Sequence, residues 1–366
     1  MRILTVNSGS SSLKLAVIGD GDSVVAAANL PAVGTDDDPD PGGEVAAAIS
    51  GFGQIDATGH RIVHGGSRFL APVRMTAAVE EELRSLLDLA PLHQAKSLAA
   101  LGLVERLLPD VPVVACFDTA FHATMPPEAS TYAIPREWRD RWNLRRFGFH
   151  GLSHAWASRR AAELIGRPPA DLRMVTCHLG AGASLAAVVG GRSVDTTMGF
   201  TPLEGLVMAT RSGTIDPGLV LWLHDHGRLD SGAIGDALEH DSGLLGLAGN
   251  ADMKAVLEAS RRGDRDARLA LDVYLHRLRA GIASMAASME GLEALVFTGG
   301  VGENAPTIRA GAAAGLGFLG IGVDPERNER GSGDRQIGAD GAEVRTLVIA
   351  AREDLQIAHE VRSVLG

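Results

Sequence analysis

Short apolar runs separated by glycine- and serine-rich turns recur along this chain. At the N-terminus, Ile3–Val6 and Leu13–Ile18 flank the polar turn Asn7–Ser12 (NSGSSS). A short apolar run bounded by turn residues is typical of a buried strand. The pattern therefore predicts a β-hairpin whose tip is small and polar.

The same plan occurs again near the middle of the chain. Met174–Leu179 (MVTCHL) and Leu185–Val189 (LAAVV) flank the turn Gly180–Ser184, and Gly190–Gly191 predicts another turn. A strand–turn–strand plan that occurs twice indicates two domains of like design.

Isolated apolar runs predict further short strands, at Ile62–Val63, Val113–Phe117, Ala294–Thr298 and Thr346–Ala350. A third glycine-rich turn, Gly299–Asn304 (GGVGEN), follows the third of these runs. The acidic segment Thr35–Gly43 (TDDDPDPGG) is rich in proline and glycine and predicts a solvated surface loop.

Helical spacing appears in three regions. Ala77–Leu108 has it, and a short amphipathic helix is expected from Asp354 onward. The strongest pattern spans Arg265–Met289, where apolar residues recur at spacings of three and four. This stripe predicts a helix packed on the core, and it consists of Leu271, Tyr274, Leu275, Leu278, Ile282, Met285 and Met289.

Composition narrows the class of protein. The chain has 366 residues, a length that favours two domains over one, and 45% of them are hydrophobic. It contains 45 glycines but only 4% aromatic residues, which suits an α/β enzyme with many tight strand-to-helix turns. The net charge of −11 argues against nucleic acid or a membrane surface as a partner.

Cellular location follows from what the sequence contains. Cys116 and Cys177 lie in apolar runs and are expected to be buried free thiols. The apolar start of the chain stops at Asn7, too early for a secretory signal, and no run has the length of a membrane span. We therefore expect a cytoplasmic protein.

Several familiar catalytic motifs are missing from the sequence. It has no P-loop and no H-E-x-x-H segment. His60/His64 and His150/His154 have a spacing that could serve zinc on a helix, but neighbouring glycines break helices there. A transition-metal site is not expected.

The three glycine-rich turns carry a different chemistry. Turns of this kind expose backbone N–H groups and let a polyphosphate approach closely. Their shared position after a strand indicates nucleotide binding, and Lys14 could add a charge for a phosphate. Each turn alone is also compatible with an ordinary α/β protein, and Lys14 with an exposed strand lysine.

Four ionisable residues stand in apolar surroundings, namely Arg61, Asp118, His150 and Arg211. An arginine in such a context needs a carboxylate or a phosphate as partner. Internal salt bridges are one interpretation. Two arginines, a histidine and an aspartate together favour phosphoryl transfer, in which catalysis is mainly positioning and charge neutralisation.

Two segments, ILTVNSGSSSLKL (Ile3–Leu15) and GHRIVHGG (Gly59–Gly66), resemble the hallmark segments of the acetate kinase (acetokinase) family, within the actin-like phosphotransferases. Five further blocks resemble that family in the family's order, so that the resemblance covers essentially the whole chain: ACFDTAFHATMP, RRFGFHGLSH, VTCHLGAGAS, FTPLEGLVMATRSGTIDP and VFTGGVGEN.

The resemblance implies an α/β fold of two domains, each with a ribonuclease H-like βββαβαβα core, and an active site in the cleft between them. Residues 1–118 and 354–366 would form the first domain, to which the C-terminal helix returns. Residues 119–353 would form the second, with the nucleotide site and the dimer interface of a homodimer.

The implied reaction is reversible, direct in-line transfer of the γ-phosphoryl group from ATP to acetate, giving acetyl phosphate and ADP. Mg²⁺ is the implied metal, with Mn²⁺ as a substitute, held by Asn7 and Glu353. The implied catalytic residues are Arg61, Asp118, His150 and Arg211. Arg61, Val63, Leu92, Phe149 and Pro202 would contact the carboxylic acid.

The resemblance also implies a set of nucleotide-binding residues, which fall into four segments: Ser10, Ser12 and Lys14; His178, Leu179, Gly180, Ala181 and Gly182; Asp252, Met253 and Lys254; and Gly300, Val301, Gly302, Glu303 and Asn304. Because acetate is already ionised, it needs no general base. Asp118 is therefore expected to orient an arginine or the hydration shell of the metal.

The chain departs from the family at four points. Ala181 and Thr214 replace the usual Asn and Asp, Lys254 replaces an Arg, and PLHQA (Pro91–Ala95) replaces PLHNP. The segment before GHRIVHGG is also shorter than usual. These changes bear on phosphate anchoring rather than on the type of reaction.

Two other functions remain open from the sequence. A propionate or other short-chain acyl kinase would share almost every motif, and the size of residue 63 should distinguish it. A non-enzymatic actin-like ATPase would keep the phosphate turns. It would have no reason to bring Arg61, His150 and Arg211 together.

Overall fold

The computed structural model describes residues 1–9, 12–33, 42–87 and 91–366, without the side chains of residues 91–93. The described chain forms two compact units. Unit 1 consists of Met1–Ala123, Phe149–Trp156 and Arg352–Gly366, and unit 2 of Thr124–Gly148 and Ala157–Ala351.

The β-strands, in chain order, are β1 (Ile3–Ser8), β2 (Ser12–Ile18), β3 (Val24–Pro31), β4 (Ala57–Ile62), β5 (Val73–Arg74), β6 (Val113–Phe117), β7 (Arg173–Leu179), β8 (Ala183–Val189), β9 (Arg192–Thr196), β10 (Ala294–Thr298), β11 (Arg335–Gln336) and β12 (Arg345–Val348).

The α-helices are α1 (Gly43–Gly51), α2 (Ala77–Ser85), α3 (Pro91–Leu107), α4 (Pro127–Ser130), α5 (Arg136–Trp142), α6 (Gly151–Ile165), α7 (Pro217–Asp225), α8 (Ser231–His240), α9 (Gly243–Ala248), α10 (Met253–Arg261), α11 (Arg265–Ser288), α12 (Gly299–Asn304), α13 (Pro306–Ala314), α14 (Pro325–Glu329) and α15 (Glu353–Leu365).

Unit 1 is built on a six-stranded sheet of order β3-β2-β1-β4-β6-β5. β1, β2 and β3 pair antiparallel, whereas β1, β4 and β6 run parallel. The C-terminal helix α15 packs directly on this sheet. At Gly59 an added Cβ would lie 2.5 Å from the side chains of both Ile357 and Val361, so the close approach of the helix requires glycine.

Unit 2 repeats this plan, with the order β11-β12-β10-β7-β8-β9. β7, β8 and β9 pair antiparallel, and β7, β10 and β12 run parallel. Helix α11 packs on β7 and β8 through the predicted apolar stripe, of which Leu278 and Ile282 are fully buried. The predicted α/β fold, with two ribonuclease H-like cores of like design, is confirmed.

Several element boundaries differ from those predicted. β1 extends to Ser8, so Asn7 lies in a strand rather than in the turn. The helical region Ala77–Leu108 is divided into α2 and α3. Gly299–Asn304 was predicted as a turn but forms the short helix α12. The C-terminal helix begins at Glu353, one residue earlier than predicted.

Both cysteines are buried free thiols, as predicted. Among the described residues, no helix has the length and apolar character needed to cross a membrane. Most of the predicted loop Thr35–Gly43 lies outside the described residues, except that Gly43 opens α1.

Candidate active site

Two charged residues meet at one edge of the sheet of unit 1. Arg61 is near the carboxyl end of β4, and Asp118 directly follows β6, the parallel neighbour of β4. Because the carboxyl ends of parallel strands share an edge, the two side chains are brought together. Nε and Nη2 of Arg61 donate to Oδ2 of Asp118 at 3.0 and 2.6 Å.

Asn7 and Glu353 extend this pair into a network of four side chains. Nη1 of Arg61 donates to Oδ1 of Asn7 at 3.2 Å, and Nδ2 of Asn7 donates to Oε2 of Glu353 at 2.6 Å. Asn7 comes from β1 and Glu353 from the first turn of α15. Four separate segments of the sequence therefore converge on one hydrogen-bonded chain.

Burial and the charge of the ion-pair partner act in opposite directions on the pKa values of Arg61 and Asp118. Burial lowers the pKa of Arg61, but Asp118 and Glu353 outweigh that effect and hold the pKa above its ordinary value. Burial raises the pKa of Asp118, and the guanidinium of Arg61 opposes the rise. Oδ1 of Asp118 is buried and has no hydrogen-bond partner among the described residues. This oxygen can accept a further hydrogen bond from a bound group.

The segment around His150 is held against Asp118. His150 has a φ of +56°, in the left-handed region that residues other than glycine seldom adopt. The next residue, Gly151, donates its N–H to the carbonyl of Asp118 at 2.9 Å. A Cβ at Gly151 would lie 2.1 Å from that carbonyl oxygen, so only glycine fits there.

Buried aromatic and polar side chains support Phe149 in the same unit. Nε2 of His122 lies 3.0 Å from the carbonyl oxygen of Phe149, and the ring of His64 packs edge-on against the Phe149 ring at 5.5 Å. The amide of Gln94 bonds both the N–H and the carbonyl of His64, each at 3.1 Å. Val63, just beyond β4, is buried as well.

In unit 2 two of the predicted nucleotide segments are adjacent. β7 and β10 run parallel with Thr298 opposite His178, so the turn Gly180–Gly182 and helix α12 lie at the same edge of the sheet. A Cβ at Gly299 would lie 2.7 Å from the carbonyl oxygen of Leu179. The backbone at the start of α12 therefore lies very close to the end of β7.

The segment that carries Arg211 is fixed to the same turn. Ala209 donates its N–H to the carbonyl of Ala181 at 3.0 Å. Nε of Arg211 donates to Glu239 at 2.9 Å, and its Nη1 lies 3.4 Å from the carbonyl oxygen of Pro202. Unit 2 thus brings Arg211, Pro202 and the Gly180–Gly182 turn into one connected region.

Residues 45–359 match the profile described as the Acetokinase family. The chain belongs to the acetokinase family. It is 45% identical to an acetate kinase of Leifsonia xyli subsp. xyli over 98% of this chain and 97% of that protein. The predicted family is confirmed.

Solved structures of the family agree over the whole chain. The acetate kinase of Porphyromonas gingivalis has a TM-score of 0.90 at 33% identity. A propionate kinase from Francisella tularensis has a TM-score of 0.91 at 34% identity. Both matches cover 100% of each chain.

Internal salt bridges were one interpretation of the two arginines, and both are present: Arg61 pairs with Asp118, and Arg211 pairs with Glu239. The Arg61 and Arg211 side chains are nevertheless 15% and 16% exposed, and each carboxylate partner holds its guanidinium in one orientation. An oriented, partly exposed guanidinium suits phosphate recognition.

The remaining predicted site residues differ in their exposure to solvent. Asp252 is the N-cap of α10 and accepts the N–H of Lys254 at 3.1 Å, whereas the Met253 side chain is buried. Lys14 and Lys254 are exposed. Ser10 and the side chain of Leu92, both predicted site residues, lie outside the described residues.

The structure gives local roles to two departures from the family pattern. Oγ1 of Thr214 accepts the N–H of Gly205 at 3.1 Å, and the N–H of Thr214 donates to the carbonyl of Gly205 at 2.9 Å. Gln94, at the position of the usual Asn, makes the two bonds to His64 described above. Ala181 has an exposed side chain.

Sequence reasoning missed the partners that orient these groups. Glu239, 28 residues from Arg211, stands in a helix with no distinguishing motif. The aromatic–histidine contacts around Phe149 also lack a local pattern. Such residues could be identified only from the folded chain, because each acts on a residue distant in sequence.

A divalent metal fits the residues that the structure provides. Among the described residues no group of three His, Cys, Asp or Glu side chains gathers as a complete metal cage. The carboxylate of Glu353 and the buried Oδ1 of Asp118, at the two ends of the network, are oxygen ligands of the kind that a divalent metal binds. Mg²⁺ commonly uses one or two carboxylates together with waters and substrate phosphates, so this donor set suits it.

Proposed function

We propose that this protein is an acetate kinase, which transfers the γ-phosphoryl group of ATP reversibly to acetate and forms acetyl phosphate and ADP. The observation that carries the proposal is the network Glu353–Asn7–Arg61–Asp118, assembled from four segments in a member of the acetokinase family. A passive nucleotide-binding protein has no need for an arginine oriented in this way.

The proposed catalytic roles follow from charge. A migrating phosphoryl group spreads negative charge over its equatorial oxygens, and positioned cations stabilise it. Arg61, Arg211 and His150 supply these groups. Asp118 orients Arg61 by accepting two of its N–H groups, which leaves Nη1 bonded to Asn7. Transfer is direct and in-line, from phosphate oxygen to carboxylate oxygen.

The proposed metal and nucleotide residues occupy both units. Asn7 and Glu353 would hold Mg²⁺, directly or through water, and Asp118 would accept from its hydration shell. A bound Mg²⁺ neutralises charge on the β- and γ-phosphates. Ser10, Ser12 and Lys14 would face the phosphates, and the segments His178–Gly182, Asp252–Lys254 and Gly300–Asn304 would complete the nucleotide site.

The methyl group of acetate is proposed to meet Val63, Leu92, Phe149 and Pro202. Propionate is the second candidate substrate, because the propionate kinase neighbour is as similar to this chain as the acetate kinase neighbour. The β-branched side chain of Val63 has restricted rotation and would exclude the additional carbon of propionate by steric clash, which favours acetate.

Hydroxamate formation from ATP, hydroxylamine and a series of carboxylates tests the proposal. We expect acyl hydroxamate with acetate, a smaller yield with propionate, and dependence on Mg²⁺. Equal or better turnover of propionate would replace the acetate assignment with the propionate one. ATP hydrolysis with no hydroxamate from any acid would indicate an actin-like ATPase instead.

We propose further that the protein acts as a cytoplasmic homodimer, with unit 2 forming the interface. Helix α7 has no buried residue in the single chain, and it exposes Leu219, Leu221 and Trp222 by 45%, 65% and 55%. Leu219 and Trp222 are three residues apart and share one side of the helix, and exposed apolar residues grouped in this way are typical of a protein interface. Light scattering of the wild type and of Trp222→Glu tests this, since a dimer should dissociate in the variant.

A further inference from the structure

Three half-buried side chains of unit 2 form a brace: Tyr132, Arg146 and Glu204. The hydroxyl of Tyr132 donates to Oε2 of Glu204 at 2.6 Å, and Nη2 of Arg146 donates to Oε1 at 2.6 Å. The guanidinium of Arg146 also lies over the Tyr132 ring, 5.5 Å from its centroid. One carboxylate thus joins a phenol and an arginine, each by a charge-assisted bond.

The brace holds the segment Gly199–Glu204 at both ends. At the start, the N–H of Phe200 donates to the hydroxyl oxygen of Tyr132 at 2.8 Å. At the end, the Glu204 side chain is held by Tyr132 and Arg146. Nη1 of Arg146 also donates to the carbonyls that precede the segment, those of Thr196, Thr197 and Met198, at 3.2, 3.1 and 3.0 Å.

Gly199 shows how closely the brace and the segment fit together. A Cβ at this position would lie 1.8 Å from Oε2 of Glu204 and 2.2 Å from the Tyr132 hydroxyl. Burial and the hydrogen bond to Glu204 raise the pKa of Tyr132. The phenol therefore stays protonated and remains a donor to the carboxylate.

Pro202 lies in the middle of the held segment. Its side chain is buried, and its carbonyl faces Nη1 of Arg211 at 3.4 Å. A shift of the segment would move the proline ring and the arginine together. Pro202 belongs to the proposed acid site and Arg211 to the proposed catalytic residues, so the inference below rests on the proposed function.

We propose that Tyr132 is a positioning residue for the carboxylic acid: through Glu204 and the segment that ends there, it sets the place of Pro202 and so the size of acyl group that is accepted. Tyr132 itself does not touch the reacting atoms. Arg146 fixes Glu204 from its other oxygen.

The chain offers a matched control, because it contains only two tyrosines. Tyr132 is half-buried and Tyr274 is buried, and the Tyr274 hydroxyl has no hydrogen-bond partner among the described residues. Tyr132→Phe and Tyr274→Phe therefore each remove one tyrosine hydroxyl from unit 2, and only the first removes hydrogen bonds of the brace.

The experiment measures kcat and KM for acetate, propionate and ATP in the wild type and both variants, with amide hydrogen exchange of Phe200. For Tyr132→Phe we expect KM for acetate to rise and the acetate-to-propionate ratio of kcat/KM to fall, each by about 10-fold, the size expected for one methylene of discrimination. KM for ATP should change by less than about two-fold. Exchange at Phe200 should accelerate.

The outcomes separate this inference from the proposed function. An inactive wild type on every carboxylate overturns the proposed function. An active wild type with an unchanged acetate-to-propionate ratio in Tyr132→Phe overturns the role of Tyr132 alone. An equal effect in Tyr274→Phe, or an equal rise in KM for ATP, also overturns it. If Tyr132→Phe does not fold, Glu204→Gln, which weakens the same bonds, is measured against the same criteria.

Discussion

The side chains of Asn7 and Glu353 are joined by a hydrogen bond of 2.6 Å, although 346 residues separate them in the sequence. The contact exists because α15 packs on β1 and β4 and places its first turn at the edge where Asn7 and Arg61 lie. The residues proposed to hold the metal therefore depend on the last helix of the chain.

Removing that carboxylate should weaken metal binding. For Glu353→Ala we expect the Mg²⁺ concentration for half-maximal activity to rise by about 10–100-fold, the usual cost of losing a group that supports a metal site. The measurement is a Mg²⁺ titration at saturating ATP and acetate. Asp354→Ala, which removes the neighbouring acid paired with Arg352, is the control and should leave the titration unchanged. An unchanged titration in Glu353→Ala would remove this residue from the metal site.

The two oriented arginines should be essential for turnover. Either Arg61→Ala or Arg211→Ala is expected to lower kcat by about 10³-fold or more, as for the loss of an arginine that stabilises a migrating phosphoryl group. Arg173→Ala breaks a comparable pair with Glu293 at the opposite edge of the unit 2 sheet and should retain activity. Far-UV circular dichroism checks that each variant is folded. Near wild-type kcat in a folded variant would exclude that arginine from the mechanism.

Restoring the usual family residue at position 181 should strengthen nucleotide binding. The exposed side chain of Ala181 leaves room for asparagine, and a hydrogen bond from its amide to a phosphate is worth about 1.5–3 kcal/mol. Calorimetry of ATP binding should therefore show tighter binding in Ala181→Asn. Ala170→Asn, at an exposed position before β7, serves as control. If affinity does not change, another group already fills the role of that amide.

Val63 should set the preference for acetate. One methylene in an apolar pocket is worth about 1–3 kcal/mol, or about 10–200-fold in kcat/KM, and we expect the wild type to prefer acetate within that range. Val63→Ala should flatten or reverse the preference, mainly by improving propionate. The control is Val45→Ala, another buried valine of unit 1, on α1. A wild type that uses both acids equally well would contradict the assignment of acetate.

Buried histidines should make the stability of unit 1 depend on pH. Burial lowers the pKa of His60 from 6.5 to about 3, and neither ring nitrogen has a hydrogen-bond partner among the described residues. The unfolded chain takes up a proton below about 6.5 and the folded chain does not. The stabilisation is thus complete above that pH and is lost as pH falls, by about 1.4 kcal/mol per pH unit for one proton.

His60→Leu should lower by one the number of protons that the chain takes up on unfolding below pH 6.5, and an apolar leucine suits this buried position. Urea unfolding between neutral pH and pH values somewhat below 6.5 should show a smaller loss of stability than in the wild type. Exposed His276→Leu on α11 is the control. An equal loss of stability in wild type and His60→Leu would show that His60 does not titrate on unfolding.

The sequence by itself determined the elements whose signal is local. The strands β1, β2, β7 and β10 follow from apolar runs between turn residues, and α11 follows from its apolar stripe. The motifs, which occur in the family's order, likewise indicated the family, because each motif is a run of adjacent residues in the sequence. When one face of a helix or strand is buried, its apolar residues recur periodically, and this pattern can be read from the sequence of that element alone.

Only the tertiary structure decided how those pieces meet. Gly299–Asn304, a turn by composition, is a short helix. The buried side chain of Arg309 donates to two carbonyls in its second half, those of Gly302 and Glu303. The pairing of Arg211 with Glu239 and the brace at Tyr132 likewise join residues far apart in sequence. A hydrogen bond depends on distance and angle, and a sequence gives neither until its helices and strands have packed.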